Sequence, residues 1–129
     1  MSELLEKITA GDLAQFIGTT THYRHWSRLV LTDGAMYLCR HGASWLLDIL
    51  GSVRHIPEIN RATYEFWKLV VDLEKSTATI QCTDGGNGAS EKVLYTQDIP
   101  YTDFPLSEIN LLVAQDPMHG KVVMLRSEY

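Results

Sequence analysis

Cysteine, proline and basic charge are all scarce in this chain of 129 residues, and no long apolar run interrupts it. The two cysteines, Cys39 and Cys82, share no close spacing, and a chain of this size needs no covalent staple. A disulfide framework is excluded, and two free thiols in a reducing compartment are expected. Lys and Arg number 11 against 16 Asp and Glu, a formal net charge of -5. That balance is the reverse of what a phosphate backbone attracts, so direct binding to nucleic acid is disfavoured. No apolar run approaches the roughly 18 residues of a membrane helix. The opening "MSELLEKITAGDLAQF" carries acidic residues where a secretory signal would be basic. The expectation is a cytoplasmic protein with no membrane segment.

Several chemical signatures are missing as well. There is no Gly-x-Ser-x-Gly elbow for a serine nucleophile. The glycine-rich "DGGNGAS", residues 84–90, lacks the Gly-Lys-Ser/Thr of a phosphate loop and the alternating oxygen ligands of a calcium loop. It reads as a flexible hairpin loop. Cys39 and Cys82 both lie among apolar neighbours, where a thiol packs as a small hydrophobe. No cofactor is implied by any of these segments.

What is present suits one domain over residues 1–129, with 45% apolar residues, ample for one core. Leu4, Leu5, Ile8, Leu13, Phe16 and Ile17 fall near helical spacing, broken and recapped at Thr9-Ala10-Gly11-Asp12, which predicts a short N-terminal helical segment. "HYRHWSRLVL", residues 22–31, mixes aromatic, β-branched and charged residues as a strand does. The Asp33-Gly34 pair that follows has two readings. It closes a hairpin that pairs Leu31 with Met36, or it opens a helix capped by Thr32 or Asp33. Leu38, Gly42, Trp45 or Leu46, Ile49 and Val53 recur at threes and fours, which favours the helix, with Gly42 its weak point and Trp45, Leu46 and Ile49 buried.

Alternation is clearest over 64–83. Trp67, Leu69, Val71 and Leu73 share one face of a strand, Ala78, Ile80 and Cys82 alternate with Thr77, Thr79 and Gln81 on the next, and Glu74-Lys75-Ser76 forms the turn between them. "KVLYTQDI", "INLLV" and "KVVML" supply further strands, the last two joined across Pro117 and Gly120. The fold class is therefore α+β: a mostly antiparallel sheet of five or six strands with one long helix packed on a face. Its open edges leave homodimerisation available.

The densest chemistry is "THYRHW", residues 21–26. On an extended strand His22 and His25 point to opposite faces and cannot grip one ion, so no metal site is expected. Tyr23, Arg24, His25 and Trp26 remain as ligand-binding candidates. Were His25 to meet a partly buried Asp33 or Asp48, the pair would be an acid–base site, the one catalytic reading the residues allow. In "IPYTDFPLSEI", Tyr101 and Phe104 flank a proline-fixed turn and Asp103 can cap a short helix begun by Pro105. Tyr101, Asp103 and Phe104 are accordingly the candidate partner-binding residues, aromatic anchors being common at interfaces.

The ordered pattern from Phe16 and Gly18 through "YRHW", "TDG", "YL", "WLLD", Trp67, "YTDFP" and the final "SEY" resembles a small bacterial family of unknown function, met in chromosomal, plasmid and phage-related settings. The resemblance covers residues 16–129 and implies no assigned activity. Residues 51–66 and "AQDPMHG" depart from it, both in expected loops. The leading expectation is a non-enzymatic protein-binding module, in its narrower form an inhibitor of a bacterial defence system. The alternative is a ligand-binding protein or small enzyme with a pocket between helix and sheet, built from His25, Arg24, Asp33 and Asp48.

Overall fold

A computed structural model describes residues 8–85 and 91–129. Its frame is the hairpin of the third and fourth strands in chain order, β3 (Tyr64–Asp72) and β4 (Thr77–Thr83), paired antiparallel with Leu69 opposite Ile80 and Trp67 opposite Cys82. Glu65, Trp67, Leu69 and Val71 of β3 and Ala78, Ile80 and Cys82 of β4 are all buried on one face, the alternation that a half-covered strand requires. Leu73 lies past the strand end and is 54% exposed, so it leaves the face assigned to it from the pattern. There the chain turns on Asp72, whose Oδ1 accepts from the amides of Glu74 and Lys75, both at 3.1 Å.

Beside this hairpin run β5 (Val93–Ile99), β6 (Glu108–Asp116) and β7 (Gly120–Leu125), and with the short β1 (Tyr23–Arg24) and β2 (Val30–Leu31) the seven strands stand in the order β1-β2-β7-β6-β3-β4-β5. The count exceeds the expected five or six because residues 22–31 do not form one strand. They fold into two short ones, β1 (Tyr23–Arg24) and β2 (Val30–Leu31), paired antiparallel, and β2 alone runs parallel to its other neighbour, β7. The reversal between them is closed by His25 N–H to Leu29 O at 2.9 Å and Arg28 N–H to His25 O at 3.0 Å, with Arg28 at φ 76°. A left-handed residue turns the chain back where period-two reasoning carries it straight on. His25 thus sits in a turn, and the opposite-face argument for His22 and His25 does not apply.

The helical reading of Asp33-Gly34 holds. Thr32 caps α2 (Asp33–Leu38), accepting from the Ala35 amide at 3.3 Å, and one wider π turn (Cys39–Ala43) leads into α3 (Ser44–Ser52). The expected weak point is real: Gly42 has φ 92° and breaks the helical geometry. Leu38, Leu46, Leu47 and Leu50 are fully buried and join Trp67, Leu69 and Ile80 in one core, each such side chain contributing about 1.5–3 kcal/mol. Trp45 and Ile49, assigned to the core from spacing, are only half-buried because the buried stripe of α3 is centred on Leu46, Leu47 and Leu50. Ahead of the sheet, α1 (Ala10–Ala14) is capped by Thr9, and α4 (Pro57–Asn60) opens on its proline. Leu4 and Leu5 of the expected first helix, and most of "DGGNGAS", lie outside the described residues.

Candidate functional site

Two groups of polar side chains meet where the β1–β2 turn docks on the end of α3. In the first, His25 is held at both ring nitrogens, Nε2 3.1 Å from Asp48 Oδ1 and Nδ1 2.6 Å from Ser27 Oγ. A carboxylate partner fixes the proton on Nε2, so Nδ1 accepts from the Ser27 hydroxyl and, at 3.3 Å, from the Ser27 amide. Gly51 makes the docking possible, since a Cβ there would lie 2.7 Å from Ser27 Cβ and Oγ and 3.0 Å from His25 Cε1. The imidazole is almost buried, its side chain 8% exposed, while Asp48 is open to solvent.

Trp26 stands out from this base. The residue is 68% exposed, yet Nε1 donates to Asp48 Oδ1 at 2.8 Å and the ring lies 5.0 Å from that of His25, tilted by 38°. An exposed indole is thereby held in one orientation by a hydrogen bond, a ring contact and a rigid turn.

The second group sits between the helical layer and the sheet. Glu65 is fully buried on the core face of β3 and takes a bidentate pair from Arg54, Nη1 at 2.8 Å to Oε2 and Nη2 at 2.6 Å to Oε1. Lys121 Nζ reaches Glu65 Oε2 at 2.7 Å and also donates to the carbonyls of Ile59 and Ala62, while Trp67 Nε1 donates to Glu65 Oε1 at 3.0 Å. Burial alone would raise the Glu65 pKa; the Arg54 guanidinium, with Lys121 and Trp67, outweighs it and holds the carboxyl below its ordinary value. Beside this network lies a cavity of about 220 Å³, lined by Ser27, Arg28, Leu29, Arg54, Asn60 and Lys121. Glu65, Arg54, Lys121 and Ser27 were not among the candidates read from sequence.

Of the predicted residues, His25, Trp26 and Asp48 come together and the others lie apart from them. Asp33 does not meet His25: its Oδ2 accepts from the Thr20 amide at 2.9 Å and hydroxyl at 3.2 Å, and its Oδ1 from Tyr23 Oη at 3.2 Å. The Thr20 amide is the chief reason its pKa is lowered, with Thr19 and Tyr23 adding to it against a smaller effect of burial. Asp33 therefore bolts residues 19–23 to the start of α2, and Tyr23 is committed to that bolt beneath the Arg40 guanidinium, 5.3 Å above its ring. Arg24 is exposed, and His22 stacks on His119 at 4.0 Å. In the other candidate segment Tyr101 is 71% exposed, but Phe104 is buried at 4% and belongs to the core, so it cannot anchor a partner. Asp103 caps no helix, because Pro105 to Ser107 form only a bend. The turn is instead held by Thr102, whose amide donates to Ser76 O at 2.8 Å and whose hydroxyl accepts from the Phe104 amide at 3.1 Å.

Among the described residues no group of three His, Cys, Asp or Glu side chains could hold a metal ion, and no helix is long and apolar enough to cross a membrane. Burial pushes the Cys82 thiol up to about 12, and burial also raises Cys39. With so little thiolate at neutral pH, Cys82 should react with a disulfide reagent at least about a hundredfold more slowly than a free thiol in the native protein, and normally once unfolded. A fast native reaction at both cysteines would contradict the packing.

No curated protein and no solved structure matches the chain significantly. One family model does, over residues 7–129, and its span takes in the turn, the helix and the buried ion network alike. The chain belongs to the family of unknown function DUF6876.

Proposed function

We propose that this protein is a binding module that engages a protein partner through the β1–β2 turn, with Trp26 as the anchor. One observation carries the reading: a large, exposed aromatic ring is fixed before any partner arrives. Anchors of this type dominate interface energetics, and a side chain already immobilised loses little entropy on docking. Exposed Arg24 adds a charged polar group to the surface of β1 within an acidic molecule. In its narrower form, which rests on the plasmid and phage settings that the sequence resemblance implies, the partner is a component of a bacterial defence system.

The test compares the protein with Trp26→Ala in quantitative affinity capture from bacterial lysate. A partner enriched by the parent and reduced at least tenfold by Trp26→Ala, with unfolding midpoint unchanged, is the expected outcome. The same two proteins, expressed in a host challenged by phage, should differ in protection. Equal capture by both would remove Trp26 from the interface.

A second reading rests on the Asp48–His25–Ser27 relay, whose donor order would let His25 act as a base toward the Ser27 hydroxyl. It replaces the expected pocket of His25, Arg24, Asp33 and Asp48 with a different set. Labelling of Ser27 by a fluorophosphonate, lost in His25→Gln, would favour an enzyme over a binding module.

A further inference from the structure

Separately from the Trp26 surface, we propose that the cavity behind the turn is a binding site for a small doubly charged oxyanion of the phosphate class. Its charged lining is entirely basic: Arg28, Arg54 and Lys121. Among the described residues the one acid paired with these groups is Glu65, which Arg54 and Lys121 share, so three cations stand against a single carboxylate. The excess is two positive charges in a chain whose net charge is -5. Such a concentration against the overall sign is a local potential that attracts an anion rather than ordinary solubility charge.

The donors left over are the right kind. Arg54 spends Nε on Leu50 O and one hydrogen of each Nη on Glu65, which leaves two N–H groups of its fork. Neither the Arg28 guanidinium nor the Asn60 carboxamide makes a hydrogen bond or ion pair among the described residues. Arg28 is held at φ 76°, a backbone state that glycine fills more easily, and it is the residue at which the chain turns back over the cavity. A volume of about 220 Å³ admits a tetrahedral oxyanion with its immediate substituent. Planar guanidinium forks and amide donors are the groups that recognise such anions by paired hydrogen bonds.

The experiment is thermal unfolding of the whole protein in about 10 mM sodium phosphate against sodium chloride of equal ionic strength, with binding followed in parallel by calorimetry. The parent should gain at least about 3 °C from phosphate over chloride. Arg28→Gln and Asn60→Ala should each lose most of that gain, and Lys68→Ala, an exposed lysine outside the cavity, should keep it. Arg28→Gly guards against misfolding: it suits the backbone at φ 76°, so its unfolding temperature in chloride should hold or rise while the response to phosphate disappears. Phenyl phosphate separates the two sources of the anion, its binding assigning the site to a phosphomonoester and its exclusion to the free ion. No phosphate gain in the parent, or an equal gain in Arg28→Gln and Arg28→Gly, overturns the proposal, and neither result bears on capture through Trp26.

Discussion

Glu65→Ala is expected to destabilise the protein by about 3–5 kcal/mol, read as a fall in the midpoint of urea unfolding with its slope unchanged. Removal of the carboxylate leaves Arg54, 15% exposed, and Lys121, 11% exposed, as neighbouring cations with no counter-charge, and strips the Trp67 indole of its acceptor. Against a total of about 5–15 kcal/mol for a domain of this size, that is a large fraction. Glu65→Gln keeps the volume and one acceptor oxygen and should fall between the two. The pH dependence has a definite sign. Because the folded-state pKa of Glu65 is depressed, its contribution is complete above the unfolded-state value, near 4.5, and is lost as pH falls through the lower folded-state value. The parent should therefore lose stability more steeply than Glu65→Gln below about pH 4. Parallel acid unfolding of the two proteins would show that the network is not what holds the ends of β3, β7 and the 53–63 connection together.

Glu65 also marks where the sequence could have been read further. The hairpin of β3 and β4 was legible because Trp67, Leu69 and Val71 repeat at period two, and the same count places Glu65 on that buried face. An acid on a core face demands cations, and Lys121 shares a face of β7 with buried Val123 and Leu125. Arg54 had no such signal, since it follows the end of α3 and its reach to Glu65 depends on tertiary placement. The long helix was legible from its apolar threes and fours, and so was its break at Gly42. Residues 22–31 were not. The turn there is made by Arg28 at positive φ and by Ser27 and His25 bonding each other, with no glycine, proline or asparagine to announce it. His25 and Asp48, 23 positions apart, meet only because that turn folds back over Gly51. The buried fate of Phe104 against the exposed Tyr101 was equally hidden, because both precede the bend at Pro105 and only the sheet decides which side faces in.

Glu128→Ala is expected to cost about 2–3 kcal/mol, although it lies one residue from the last in the sequence. Its Oε1 accepts from the Thr32 hydroxyl at 2.6 Å and the Leu125 amide at 2.9 Å, and its Oε2 accepts from the Gly34 amide at 3.1 Å. The carboxylate thus satisfies donors at the start of α2 and sits where the helix presents its positive end, which favours an anion. Gly34 is required for the approach: a Cβ there would fall 2.5 Å from Glu128 Oε1 and 2.7 Å from Leu125 Cδ1. Gly34→Ala should therefore destabilise by a comparable amount, through collision instead of lost hydrogen bonds. Because both changes act on one contact, the double variant Gly34→Ala/Glu128→Ala should be less destabilised than the sum of the two by at least about 1 kcal/mol. Strict additivity in urea unfolding would mean that the two residues do not meet in solution. Coupling of the predicted size would show that Gly34 and Glu128, 94 positions apart, form one contact in solution: the C-terminal turn supplies the anionic cap for α2, the segment that leads through the break at Gly42 into α3, where Asp48 supports Trp26.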